Sequence, residues 1–133
     1  MRSRVFVGAL LLIGILAAGT LAAGDVGKTP SREWIVTNFL RPTLIAGIVA
    51  QGPVLIIHDD ELMAKGEPCT SVYRFNTARG RQEKLVSFMC TPAQRDVVEK
   101  FTITCTKTAM SGLDVLAEYQ FAGDKEGHEV PRY

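Results

Sequence analysis

Residues 58–69, HDDELMAKGEPC, hold the densest group of reactive side chains of this chain. They hold one imidazole (His58), four carboxylates (Asp59, Asp60, Glu61, Glu67) and one thiol (Cys69). Imidazole, carboxylate and thiolate are the ligands of transition metals, and a thiol beside a histidine and an acid is the raw material of nucleophilic catalysis. Elsewhere, Cys90 offers a second thiol and His128, in the C-terminal tail, a second imidazole. His58, Asp59, Asp60, Glu67 and His128 are therefore the candidate ligand-binding or metal-binding residues. Cys69 and Cys90 are the candidate disulfide.

The spacing fits no established metal motif. An EF-hand loop needs alternating oxygen ligands, a glycine at its sixth position and a glutamate at its twelfth; HDDELMAKG lacks that order. There is no C-x-x-C and no paired-histidine helix of the zinc type. A blue-copper site wants two His, one Cys and a weak axial Met in a compact loop, whereas His58 and His128 lie on either side of all three cysteines. Haem through His58 or Met63 would lack a C-x-x-C-H attachment. A His58–Asp59–Cys69 catalytic set would lose its nucleophile to a disulfide, and no Gly-x-Ser-x-Gly, HExxH or phosphate loop is present. The plain alternative is a solvated acidic turn in which Asp59 or Asp60 satisfies loop amides.

Strands must position these groups. Runs rich in β-branched and alternating residues recur through the chain: TLIAGIVA, PVLIIHDD, TSVYRF, LVSFMC, FTITCT and VLAEYQF. Period-two alternation with turn residues between runs indicates half-buried antiparallel strands. The first two runs read as a hairpin turning at Gln51-Gly52, with Pro53 at the start of its strand. Before them, WIVTNFL is compatible with a strand, an irregular segment or a short helix, and Arg41-Pro42 ends it. The connector PAQRDVVEK has room for a helical turn, and the tail 122–133 shows no apolar period, so loose packing is expected there.

Hairpin geometry sharpens the expectation for the thiols. A turn centred on Arg79-Gly80 sets Tyr73 opposite Val86, Ser71 opposite Phe88 and Cys69 opposite Cys90, with Tyr73 and Phe75 on the face of Cys69. Opposed residues lie close enough for a disulfide. Such a bridge closes a loop of roughly 20 residues and contributes on the order of 3 kcal/mol. Cys105, following Ile103 on an inward face, reads as a small buried hydrophobe.

Arg2 and Arg4 precede an uncharged apolar run, residues 5–23, that ends in small residues, the pattern of a cleaved secretory signal peptide. At about 19 residues the run could also just span a bilayer as a retained anchor. Removing residues 1–23 takes away two arginines and no acid, so the net charge passes from +1 to −1. An evenly spread charge gives no footprint for nucleic acid or anionic lipid. Arg74, Arg79, Arg81 and Lys84 gather around one turn and read as a solvated loop. Three cysteines in an exported chain leave one over after pairing.

The expected organisation is a signal peptide (1–23), a lead-in (24–42) and an all-β domain (43–133). That domain is an antiparallel sandwich or partly open barrel of about six or seven strands. The expected role is non-enzymatic binding of a small ligand or protein in the periplasm or outside the cell, with no defined cofactor, no nucleic acid, and membrane contact only through an uncleaved N-terminus. Trp34, Tyr73 and Tyr119 are candidates for a recognition surface. The alternative is a metal or thiol–disulfide centre at the 58–69 loop.

Overall fold

The computed structural model describes residues 29–108 and 111–133. The expected signal segment, 1–23, and part of the lead-in lie outside these residues. Eight strands and one short helix follow in order: β1 (Arg32–Ile45), β2 (Ile48–Asp59), α1 (Asp60–Ala64), β3 (Thr70–Asn76), β4 (Gly80–Phe88), β5 (Thr91–Gln94), β6 (Thr102–Lys107), β7 (Asp114–Gln120) and β8 (Glu126–Glu129). They form one open sheet in the order β4-β3-β2-β1-β7-β8-β5, with β6 paired to β7. The class is all-β, with eight strands in place of about six or seven. No helix among the described residues is long and apolar enough to cross a membrane.

β1 starts at Arg32, inside the segment expected as a lead-in, and runs through Pro42 across the expected domain boundary. The β1–β2 hairpin turns at Ala46-Gly47, not at Gln51-Gly52. Ala46 and Gly47 have φ of 46° and 90°, and two successive left-handed residues match the right-handed twist of a tight hairpin. A single left-handed residue makes a bulge instead. Gly52, at φ 85°, sits where pairing jumps from Phe39↔Gly52 to Thr43↔Ala50. Pro42 lies in this irregular stretch, where its missing N–H costs no ladder bond.

The β3–β4 register also differs from expectation. Asn76 Oδ1 accepts the amides of Ala78 (2.9 Å) and Arg79 (3.0 Å), and this side-chain turn draws the hairpin tip towards β3. Two irregularities then set Val72 opposite Val86 and Thr70 opposite Phe88. Thr70 and Val72 consequently point into the core. The pleat sends Ser71, Tyr73 and Phe75 to the other face, away from the inward side expected for Tyr73 and Phe75.

The core gathers Phe39, Ile45, Val54, Ile56, Val72, Phe88, Leu116, Tyr119, Phe121 and Val130. Five polar side chains are buried as well, Thr43, His58, Thr70, Gln120 and His128. The tail is not loose. β8 pairs with both β5 and β7, and Gln120 Nε2 ties it to the connector by donating to the carbonyls of Asp96 (2.7 Å) and Asp124 (2.8 Å). The connector carries the extended β5 and no helical turn. Cys105 is exposed, contrary to expectation. An irregularity between Thr104 and Cys105 shifts the β6–β7 register there and turns the thiol outward.

Candidate metal centre

Four chemically able side chains meet in the core. His58, the last inward residue of β2, is completely buried opposite Thr70. Cys69 precedes β3 and Cys90 follows β4, so both leave the ladder at the same end, where the Cys90 amide donates to Cys69 Sγ at 3.3 Å. His128 comes from β8. The ligand atoms of His58, Cys69 and Cys90 all lie within 4.8 Å of one another. The two sulfurs are 2.8 Å apart as free thiols, and Cys90 Sγ is 3.6 Å from His128 Nδ1. The rings of His58 and His128 have centroids 4.0 Å apart.

A second layer holds these groups in place. Tyr119, opposite His128 in the β7–β8 ladder, stacks on its ring at 4.9 Å. The Tyr119 hydroxyl hydrogen-bonds that of Thr70. Asp60 Oδ1 stands 3.3 Å from His58 Nδ1, while its Oδ2 accepts the Ser31 amide (3.1 Å) and hydroxyl (3.3 Å). Despite that neighbour, neither ring nitrogen of His58 makes a directed hydrogen bond. A buried donor or acceptor left without a partner costs about 1–3 kcal/mol, so this vacancy needs a physical reason.

The thiols are electrostatically unequal. The hydrogen bond from Cys90, helped by His58, holds Cys69 well below the ordinary thiol range despite the opposing effect of burial. The same bond, then burial, pushes Cys90 up. One proton is thus shared between two sulfurs, with the thiolate on Cys69. Burial pushes Tyr119 up as well, keeping it a neutral hydrogen-bonding group.

No family model, curated protein or solved structure matches the chain. The assignment of a role therefore rests on the geometry.

Of the residues singled out by sequence, the fold brings together His58, Cys69, Cys90 and His128, with Asp60 behind them. It does not bring in Asp59, whose Oδ1 caps α1 by accepting the amides of Glu61 (2.9 Å) and Leu62 (3.2 Å). Asp60, and not Asp59, therefore faces His58, which dissolves the His58–Asp59–Cys69 arrangement. Glu67 is exposed in the loop. Met63 packs against the core. Thr70 escaped the sequence reading, and Tyr119 was named there only for a recognition surface, because one threonine and one tyrosine in alternating strands carry no mark beyond their phase. Trp34 is exposed, Tyr73 half-buried and Tyr119 fully inside, so the three do not form a common recognition surface.

The donor set suits a soft or borderline ion. Two thiolates and one or two imidazoles are the ligands of closed zinc sites and of Cu(I). Zinc–sulfur bonds of about 2.3 Å place tetrahedral sulfurs a little under 4 Å apart, so the two thiols would part by about 1 Å on loading.

Proposed function

We propose that this is a small exported β domain that binds a transition-metal ion of the zinc or Cu(I) type at His58, Cys69 and Cys90, with His128 completing the set. In this reading the two ends of the open sheet pack in sandwich fashion across the ion. The observation that carries it is His58, a fully buried imidazole without a directed hydrogen bond on either nitrogen beside two thiols. A metal ion is the one partner that uses a ring nitrogen and both sulfurs at once. Export rests on Arg2, Arg4 and the apolar run that follows them. The role is binding, without turnover.

The 2.8 Å separation of the sulfurs favours a second reading, a Cys69–Cys90 disulfide in oxidising surroundings. The two states exclude each other, since a disulfide offers no thiolate. Native mass spectrometry of the reduced protein with zinc, and separately with Cu(I), distinguishes them. The expected result is one bound ion, lost in His58→Ala. Retention of the ion by His58→Ala would remove this site, and a chain that takes up no ion and loses 2 Da on mild oxidation would favour the disulfide.

A further inference from the structure

The opposite face of the sheet carries a different surface. Residues of β1, β2, β3 and β4 form a shallow groove of about 580 Å³ lined by Arg32, Trp34, Leu55, Ile57, Phe75 and Arg81. Trp34 is 66 % exposed there and lies opposite Ile57 in the ladder. Arg81 and Lys84 stand over the Tyr73 ring at 5.0 and 5.6 Å. Among the described residues no carboxylate forms an ion pair with Arg32, Arg81 or Lys84, whereas Arg41, Arg74 and Arg95 all have acidic partners. Asp59 is the nearest acid by register, opposite Arg32, and its Oδ1 is engaged in capping α1. Arg81 and Lys84 gather around one turn in the sequence, where they read as a solvated loop, and strand pairing adds Arg32 to their face.

We propose that this face docks on an anionic phospholipid bilayer. A shallow apolar groove with an exposed tryptophan and the guanidinium groups of Arg32 and Arg81 in its lining matches the membrane interface. There indole rings sit at headgroup level and cations meet lipid phosphates. The position of the face in the chain points to the same partner. β1 begins at Arg32, shortly after the apolar run that ends at Ala23, with Asp25 and Lys28 between them. A chain still carrying that run enters the sheet beside Trp34. The groove supplies a membrane contact separate from the apolar run. This inference is independent of the metal centre, which lies on the other side of the sheet.

The chain has a single tryptophan, so its fluorescence reports Trp34 alone. The full chain is placed in vesicles of phosphatidylcholine, and of phosphatidylcholine with phosphatidylglycerol, each made with and without brominated acyl chains. The expected result is a blue-shifted emission and at least roughly twofold quenching by brominated lipid in the anionic vesicles, with a smaller effect in the neutral ones. Arg32→Glu/Arg81→Glu should return the anionic value to the neutral one, and Arg79→Glu, in the hairpin turn, should not. Should charge reversal disturb folding by circular dichroism, Arg32→Gln/Arg81→Gln makes the same comparison. Equal quenching in both lipids, or no effect of the paired substitutions, overturns the proposal. A blue shift that grows with protein concentration without lipid assigns the face to a second copy of the chain and overturns it equally.

Discussion

The imidazoles of His58 and His128 lie against each other with centroids 4.0 Å apart, one carried by β2 and the other by β8. Neither strand is a ladder neighbour of the other; β1 and β7 stand between them in the sheet. The contact therefore joins strands that the ladder does not pair. The Thr70–Tyr119 bond does the same one step away.

Replacing His58 by phenylalanine separates its cost from its use. Phenylalanine is somewhat larger than histidine, and it removes two nitrogens without a directed hydrogen bond together with the 3.3 Å Nδ1–Asp60 contact, so the metal-free reduced protein should keep its stability to within about 1 kcal/mol. Wild type should gain about 2.7 kcal/mol at a zinc concentration a hundredfold above its dissociation constant, and His58→Phe should gain nothing. Urea denaturation with and without zinc measures both. A large loss of stability in the metal-free variant would show that the imidazole serves the fold instead.

The unequal thiols fix the pH dependence of zinc binding. Cys69 is lowered and already a thiolate at neutral pH, whereas Cys90 is raised and keeps its proton. Loading displaces that one proton, so higher pH favours binding. Affinity should rise about tenfold per pH unit between pH 7.5 and 8.5. Competition titrations across that window give the slope; a hundredfold change per unit would mean that both thiols start protonated.

Exposure and reactivity part company at Cys105. It is the exposed thiol, yet burial of its sulfur and then Asp114 push its pKa up, with Arg41 opposing. Native protein should take one maleimide, at Cys105, more slowly than a free cysteine at pH 7.5 and faster as pH rises. After denaturation without reductant, a reduced sample should carry three labels and an oxidised sample one. Mass spectrometry counts them.

Tyr119→Phe removes the partner of a buried hydroxyl. The loss should be about 1–3 kcal/mol, because the Thr70 hydroxyl then keeps only its long 4.0 Å contact with Cys69 Sγ. Adding Thr70→Val should recover most of it, and the double-mutant cycle gives the coupling. Additive losses would mean that the two hydroxyls act independently.

The sequence displayed the class of fold because alternation survives in any half-buried strand, and β3, β4, β6 and β7 all overlap runs chosen on that basis. β5 and β8 were hidden. Each spans four residues, too few for a period to show, and β8 reads EGHE, with two acids and no large apolar residue. The turn at Ala46-Gly47 was masked by the stronger Gly-Pro signal a few residues on. Cys69 and Cys90 were matched by a register the structure does not adopt. They still meet, because both sit at the same end of the β3–β4 hairpin, where a shift of one or two residues leaves them neighbours. His128 was legible only as a residue type, since nothing local places a tail histidine in the core.

The seam between β1 and β7 has a mechanical consequence. Backbone pairing across it consists of Thr43↔Asp114 and Leu44↔Val115, near the Ala46-Gly47 turn, with Arg41 and Asp114 in contact beside it at 2.7 Å. His58 and Tyr119 lie at the opposite ends of their strands from that seam. The narrow seam and the thiol–imidazole cluster thus lie at opposite ends of these strands. An ion or a disulfide fastened at the cluster would tie the sheet together far from its only β1–β7 ladder bonds among the described residues, and so would stiffen it more than the same bond made beside the seam.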